Sequence, residues 1–408
     1  MKRLSYIFLV LAATLSLSWA LPWVFNLLLP DPSQVPFISY SPLSGEFIAT
    51  EKGKSWVVNP DGSHGRDLPT QVRDSLLPQQ YFVQLSNFGR LPDTILGKEV
   101  SPKILKHGNF MFRSTPRDVN KRYADVYMIM ESKPPRVEFE DPKEVFRMKN
   151  DGTVEFIRIA DCSINDDRTK EFTKVFADRH FAFPMRDFSA NVTTKKPFDA
   201  GYLLIDNEGR LYNMLQQGGG PFLKAIALPD SVRATKALVM EDGDGSNIGF
   251  VIDKNGSTYA IGADYATRRL DIAPFNPKED NLLIMGSIFN WIVRIANERQ
   301  ISWQVVDNEN FKRIAEYVMP QTKSTLENVA SYIFHFTTAY DSYNDSFARL
   351  RIENLSAKAL ILNAVLAVVI GFVAYRRRKS VATIAISAIA TLALGIYIFI
   401  PLITLNDN

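Results

Sequence analysis

Three runs of this sequence, residues 4–29, 359–375 and 381–405, contain no Asp, Glu, Lys or Arg, and each is long enough to cross the hydrocarbon core of a bilayer as a helix. Together they take 68 of the 408 residues, so all 91 charged residues fall in the other 340. That is about 27% of them, the charge density of a water-soluble domain. A purely soluble protein is excluded, and so is a polytopic carrier whose mass lies mostly in lipid. Three parts follow: a transmembrane anchor over residues 1–29, an extracytoplasmic domain over 30–358, and a two-helix transmembrane hairpin over 359–405.

Charge sets the topology. Lys2 and Arg3 precede the first run, and Arg376, Arg377, Arg378 and Lys379 sit between the last two. The positive-inside rule keeps both groups in the cytoplasm, so three spans leave the N-terminus inside and the large domain outside. A cleaved signal peptide is the rival for the first run, because Ser18-Trp19-Ala20 offers small residues at cleavage spacing, but the apolar stretch continues to Leu29. Without the topogenic charges the net +3 of the chain becomes −2 for the residues between, which leaves no electrostatic footprint for nucleic acid. A single cysteine, Cys162, excludes an internal disulfide and points to a bacterial inner membrane and periplasm.

Between the spans, short β-branched and aromatic runs are interrupted every few residues by Gly, Pro, Asn and Asp, an all-β texture. An apolar strand running into an Asn/Asp turn recurs at Trp56-Val-Val-Asn-Pro-Asp-Gly62, Val145–Gly152, Tyr202-Leu-Leu-Ile-Asp-Asn-Glu-Gly209, Phe250-Val-Ile-Asp-Lys-Asn-Gly256 and Trp303–Asn310. The spacings are 90, 57, 47 and 54, as though a copy near Leu96–His107 had lost its signature. A period near 50 belongs to propeller blades, which predicts a β-propeller-like domain of about six degenerate blades, with an irregular β-sandwich as the alternative. Ring closure is expected to bring the strand in 347–355 beside the one at 46–50. Helical spacing of Ile314, Tyr317 and Val318 before Pro320 predicts one short helix within 312–335.

The search for chemistry returns little. His64, His107, His180 and His335 are too scattered for a local metal site, and no cofactor motif is present. Asp242 and Asp244, in Glu241-Asp-Gly-Asp-Gly-Ser-Asn247, resemble a calcium loop but lack its distal Glu. Gln216–Pro221 is glycine-rich without the Lys-Ser/Thr of a phosphate cradle, and Ser287 lies outside any nucleophile elbow. The acid pairs Asp166-Asp167 and Glu138/Glu140/Asp141 fall in polar stretches where only spatial separation would tell. No catalytic residue, cofactor or metal is assigned.

Within the spans, small or polar residues recur every fourth position: Ala12/Ser16/Ala20, Ala359/Asn363/Ala367/Gly371 and Thr383/Ser387/Thr391/Gly395. Residues four apart share a helix face, and in lipid such faces let helices approach closely while amides and hydroxyls bond across. The second and third spans are expected to pack along them, with Val368 and Ile384 facing away.

The layout of an N-terminal anchor, a degenerate β-domain with Asp-Asn-Glu-Gly turns and a C-terminal hairpin with an Arg-rich turn resembles an uncharacterised family of membrane-anchored periplasmic proteins of Bacteroidetes. That resemblance implies genes beside ATP-binding-cassette transporter components. The expected role is a non-enzymatic accessory or scaffold subunit of an envelope transport complex, docking protein partners that include a permease. An envelope enzyme acting on glycan or peptide, or a periplasmic ligand sensor, is the alternative.

Overall fold

The computed structural model describes residues 2–29, 35–120, 124–136, 138–321, 324–341 and 349–405. They form two compact units, Pro36–Gln321 and a second one made of the residues before and after it.

Five antiparallel sheets of three to five strands build the larger unit, with one two-stranded ribbon besides. In chain order, the first contains Phe37–Tyr40, Phe47–Glu51, Lys54–Val58 and His64–Asp67, and the second Tyr127–Met128, Glu144–Met148 and Val154–Arg158. The third contains Asp187–Ser189, Tyr202–Ile205, Leu211–Gln217 and Gly220–Ile226; the fourth, Ala234–Val239, Asn247–Asp253, Thr258–Gly262 and Thr267–Arg269. The fifth joins Asn281–Gly286, Asn290–Ala296, Gln300–Asp307 and Arg313–Pro320, and Phe110–Ser114 pairs along its Asn281–Gly286 edge.

Alternation along each strand decides how the sheets stack, because successive side chains point to opposite faces. In Tyr202–Ile205 every residue is buried. Tyr202 and Leu204 pack with Phe146 and Phe156 of the second sheet, while Leu203 and Ile205 pack with Val251 and Ile261 of the fourth. Phe250 and Ile252 of the fourth sheet meet Trp291 and Val293 of the fifth, whose opposite face, through Ile292 and Trp303, packs on Ile38 and Ala49 of the first. The sheets therefore stack face to face in the order second, third, fourth, fifth, first. The first sheet of the chain thus lies beside the last.

Two expectations are corrected. There are five such sheets among the described residues, not six. At the site of the missing copy, two-residue strands Thr94–Ile95 and Lys98–Glu99 lead into helix Pro102–Gly108, whose Leu105 buries against Ile95, Val100 and Phe289. The short helix lies at Thr325–Ile333, opened by a Ser324/Glu327 capping box. Arg313–Pro320 is instead a strand, because Ala315, Tyr317 and Met319 alternate against the first-sheet core. All five repeat turns are hairpin turns, and Gly62, Gly152, Gly209 and Gly256 take φ between 78° and 94° in them, where a side chain would be strained.

The smaller unit contains helix Lys2–Leu28, helix Thr325–Ile333, a hairpin of Thr337–Asp341 with Arg349–Glu353, and helices Ala359–Arg376, Val381–Leu394 and Ile396–Thr404. The 349–353 strand pairs with 337–341 and not with 46–50. Phe47–Glu51 already pairs with Phe37–Tyr40 on one side and Lys54–Val58 on the other, so it has no open edge for a further strand. Two helices are long and apolar enough to cross a membrane, Leu4–Leu28 and Ala359–Arg376. The third expected span, 381–405, is interrupted: Gly395 has φ 61° and ψ −140°, ending one helix and starting the next. Tyr397 donates to the Phe336 carbonyl and stacks on Phe334, whose ring meets Phe25 edge-on.

Candidate functional site

One pocket of the larger unit, about 420 Å³, lies between the first sheet, helix Pro78–Asn87, strand Phe110–Ser114 and the fifth sheet. Its wall mixes aromatic rings (Phe37, Phe82, Phe110) with Gln79, Asn109 and Asp242. Helix Pro78–Asn87 begins with proline at its first turn, which places Gln79 under Tyr40. Gln79 donates through Nε2 to the Tyr40 carbonyl at 3.1 Å, and Asn109 through Nδ2 to the Gln79 carbonyl at 2.6 Å. A carbonyl can only accept, so both amides are fixed in orientation and their oxygens are left as acceptors. Neither Gln79 Oε1 nor Asn109 Oδ1 has a hydrogen-bond partner in the protein, although both atoms are buried. Asp242 accepts the Met111 amide at 3.0 Å and the Gly243 amide at 2.8 Å.

A second polar centre is a buried ion cluster where the third and fourth sheets meet. Asp187 takes Lys236 Nζ at 2.7 Å and the Ala237 amide at 2.9 Å, and Ser189 takes the Val239 amide at 2.8 Å, so side chains join the two facing edge strands. Burial is the larger influence on Asp187 and pushes its carboxyl up despite Lys236. Beyond these strands Lys196 bridges Asp199 and Glu241, with all three side chains at most 4% exposed. Asn191 and the Ala200 amide also donate to Glu241, at 2.8 and 2.7 Å. Burial raises the Glu241 carboxyl from 4.5 to about 7 against the pull of Lys196, which Asp199 shares.

A third feature, a charged groove of about 530 Å³, gathers Glu131, Glu140, Asp141 and Glu144 with Arg158 and Arg168. Two of its carboxylates are already engaged. Glu144 meets Asn165 and Arg168, and Glu131 accepts the amides of Gly218 and Gly219, each at 2.9 Å. Burial pushes the Glu131 carboxyl up, but these amides and that of Lys133 outweigh it and hold it below the ordinary range. A general acid needs the opposite shift.

Asp242 and Asp244 lie in one exposed turn with different partners. Asp244 caps the Ser246 amide, Asp242 is in the cavity wall, and among the described residues no group of three His, Cys, Asp or Glu is placed to hold a metal. His64 stacks on Trp56 and contacts Asp67 at 2.7 Å, and His335 contacts the Ser356 carbonyl. Asp166 and Asp167 occupy the first turn of helix Asp166–Asp178, where they complement its dipole.

In the smaller unit, Asn363, Thr391 and Gly395 come together. Asn363 and Thr391 are fully buried, Asn363 donates to the Leu392 carbonyl at 3.1 Å, and a Cβ on Gly395 would lie 2.9 Å from Asn363 Cγ. Ala367, Gly371 and Ser387 are half-buried. Ile384 does not face away, since its Cγ2 lies 4.0 Å from where a Gly371 Cβ would be; Val368 is 74% exposed. The first stripe also shifts: Val10, Thr14, Ser18 and Pro22 are buried, Ala12 and Ser16 exposed, and Ser18 bonds Thr338 at 2.9 Å. Arg376, Arg377, Arg378 and Lys379 follow one another between the two helices, with Arg377 donating to the Ile403 carbonyl. The side chains of Lys2 and Arg3 lie outside the described residues.

A family model described as a domain of unknown function (DUF4857) matches residues 37–306. No curated protein matches the sequence. Among solved structures, PorZ, a bacterial surface component of the type-IX secretion system of Porphyromonas gingivalis, is 9% identical over 79% of this chain and 32% of its own, with a TM-score of 0.23. This chain thus spans about a third of PorZ. The β-propeller domain of Cps50 (Swd1) from Myceliophteria thermophila is 8% identical over 55% and 61%, with a TM-score of 0.25. The dihydro-heme d1 dehydrogenase NirN is 13% identical over 69% of both chains, with a TM-score of 0.24.

Proposed function

The chain belongs to the DUF4857 family, whose matched region is the β-domain, and from that premise we propose a non-enzymatic, membrane-anchored accessory or scaffold subunit of an envelope transport complex. One observation carries the anchoring: the helices of the smaller unit turn many large apolar side chains outward. Phe8, Trp23, Val368, Phe372 and Ile386 are all more than half exposed. In water this surface would drive aggregation, whereas in lipid it is at rest. On this reading Leu4–Leu28 and Ala359–Arg376 cross the bilayer with the RRRK turn cytoplasmic, which leaves the β-domain in a bacterial periplasm without requiring the broken stretch 381–404, whose Ile403 carbonyl meets Arg377, to cross in full. These 408 residues carry no nucleotide-binding motif, so on this reading the ATP-hydrolysing part of such a complex lies outside them. The layout of anchor, β-domain and hairpin supports a docking role.

The sole cysteine supplies the topology test, because Cys162 is exposed on the β-domain. A membrane-impermeant maleimide should label it in spheroplasts without lysis, and labelling only after lysis overturns the orientation. For the complex, purification in mild detergent should recover transporter subunits with the chain. Recovery as a lone monomer defeats the accessory role even if the topology stands.

A further inference from the structure

We propose that Arg113 and Arg294 on the fifth sheet form a binding site for the oxyanion of a small ligand, a carboxylate or phosphate group carried on an apolar body. This goes beyond the transport role and is independent of it, since every residue involved lies within Pro36–Gln321. Register brings the two arginines together. Both pair across Leu283, Arg113 from strand Phe110–Ser114 and Arg294 from strand Asn290–Ala296, so they stand on one face at one level, about 10 Å apart at Cα. Guanidiniums on side chains of that length can close on a single anion between them.

Neither charge is neutralised within the chain. Among the described residues no acceptor bonds either guanidinium and no carboxylate pairs with it, whereas Arg147, Arg168 and Arg210 of the same unit are each held by an acid. At Arg113, which is exposed, water can serve instead, but Arg294 is half-buried. Its guanidinium lies 5.9 Å from the centre of the Trp303 ring, and burial first, then the charge of Arg113, push it below the ordinary arginine range. The ring attracts the cation but leaves the repulsion between two like charges in place. An anion seated between them offsets both the desolvation and the repulsion. A cation would add to the repulsion, and a neutral alcohol would relieve neither.

The same face has room for the rest of a ligand. It packs on the first sheet through Ile292 and Trp303, but on its other two strands Met111 and Arg113 stay exposed and Leu283 and Met285 half-buried. Met111, Met285 and Ile292 stand two residues from Arg113, Leu283 and Arg294, and all three line the 420 Å³ pocket. The charged row is therefore one rung, about 7 Å, from a pocket of small-molecule size, which suits an anionic head with an apolar body.

The full-length protein in an uncharged detergent, titrated calorimetrically at pH 7 with phenylacetate, phenyl phosphate, phenethyl alcohol and phenethylamine, tests this. At least one of the two anions should bind at least tenfold more tightly than the alcohol and the amine, and the tighter of them assigns the head group. Arg294→Gln and Arg113→Gln should each weaken anion binding about tenfold. Arg299→Gln, which removes an exposed charge from a turn of the same sheet, should leave it unchanged. Melting curves without ligand show that each variant is folded; should Arg294→Gln not fold, Arg113→Gln, at an exposed position, decides alone. The proposal is overturned if the alcohol or the amine binds as tightly as the anions, if anion binding is indifferent to both arginines or falls equally with Arg299→Gln, or if neither anion binds at millimolar concentration.

Discussion

Glu241 shows how a single buried residue couples this fold to pH. Its carboxyl is raised to about 7 chiefly by burial, with one lysine shared between it and Asp199. Between about pH 4.5 and 7 the folded protein therefore holds a proton that the unfolded chain has released, so this group's contribution is full below 4.5 and is lost as pH rises through 7. Glu241→Gln keeps an acceptor for the Ala200 amide and removes the titration. Denaturant midpoints of the wild type should fall across that window, by a few kcal/mol at most, while those of the variant stay flatter; equal slopes refute the assignment. Two glycines make a second contrast. Gly395 combines φ 61° with a Cβ position pressed on Asn363, so Gly395→Ala should cost on the order of 1–3 kcal/mol. Gly371 sits inside a helix with its nearest neighbour at ordinary contact distance, so Gly371→Ala should be neutral or slightly stabilising. Thermal melts in detergent compare them, and equal losses would contradict the role of the break at Gly395.

At the scale of the element, the repeated hairpin works through its aspartate. Asp206 accepts the amides two and four residues on, those of Glu208 and Arg210; Asp253 does the same with Asn255 and Ser257; Asp307 takes those of Glu309, Asn310 and Lys312. In the first two copies the carboxylate stands later in the turn, and Asp61 and Asp151 each hold one backbone amide, two residues on, with the Ser63 hydroxyl also on Asp61. Asp253 is 7% exposed, so Asp253→Ala should cost about 1–3 kcal/mol, and Asp61→Ala much less. Urea melts that rank them the other way would dismiss the clamp. These hairpins were legible in the sequence because strand, turn and clamp lie within about ten residues of one another. The spacing of Ile314, Tyr317 and Val318 misled for the same reason: a local helical period lost to cross-strand pairing with Gln300–Asp307. The cavity was not legible at all. Gln79, Asn109 and Asp242 come from a helix start, the end of a loop and a turn of another sheet, and nothing local marks them as neighbours. Asp242 did stand out, but as a metal candidate and not as part of a cavity wall.

Across the whole β-domain, the face-to-face series of sheets determines how it must unfold. Each interior sheet is buried on both sides, so removing one would expose the apolar faces of two neighbours, and all six hydrophobic clusters are composed of residues within Pro36–Gln321. That unit should therefore fold without the helices. Expressed alone, it is expected to give strand-dominated circular dichroism, with the minor helical contribution of its short helices, and a single cooperative melt. Leu203 and Leu204 probe the coupling, being adjacent, fully buried and on opposite faces, toward the fourth and second sheets. Leu→Ala at either should cost about 2–5 kcal/mol. If the sheets act as one core, both substitutions lower the midpoint of the same transition and leave it sharp. If Leu204→Ala instead splits the melt, so that the second sheet with its helix Asp166–Asp178 comes away first, the stack behaves as a chain of separable repeats whose stability is a sum over neighbouring interfaces.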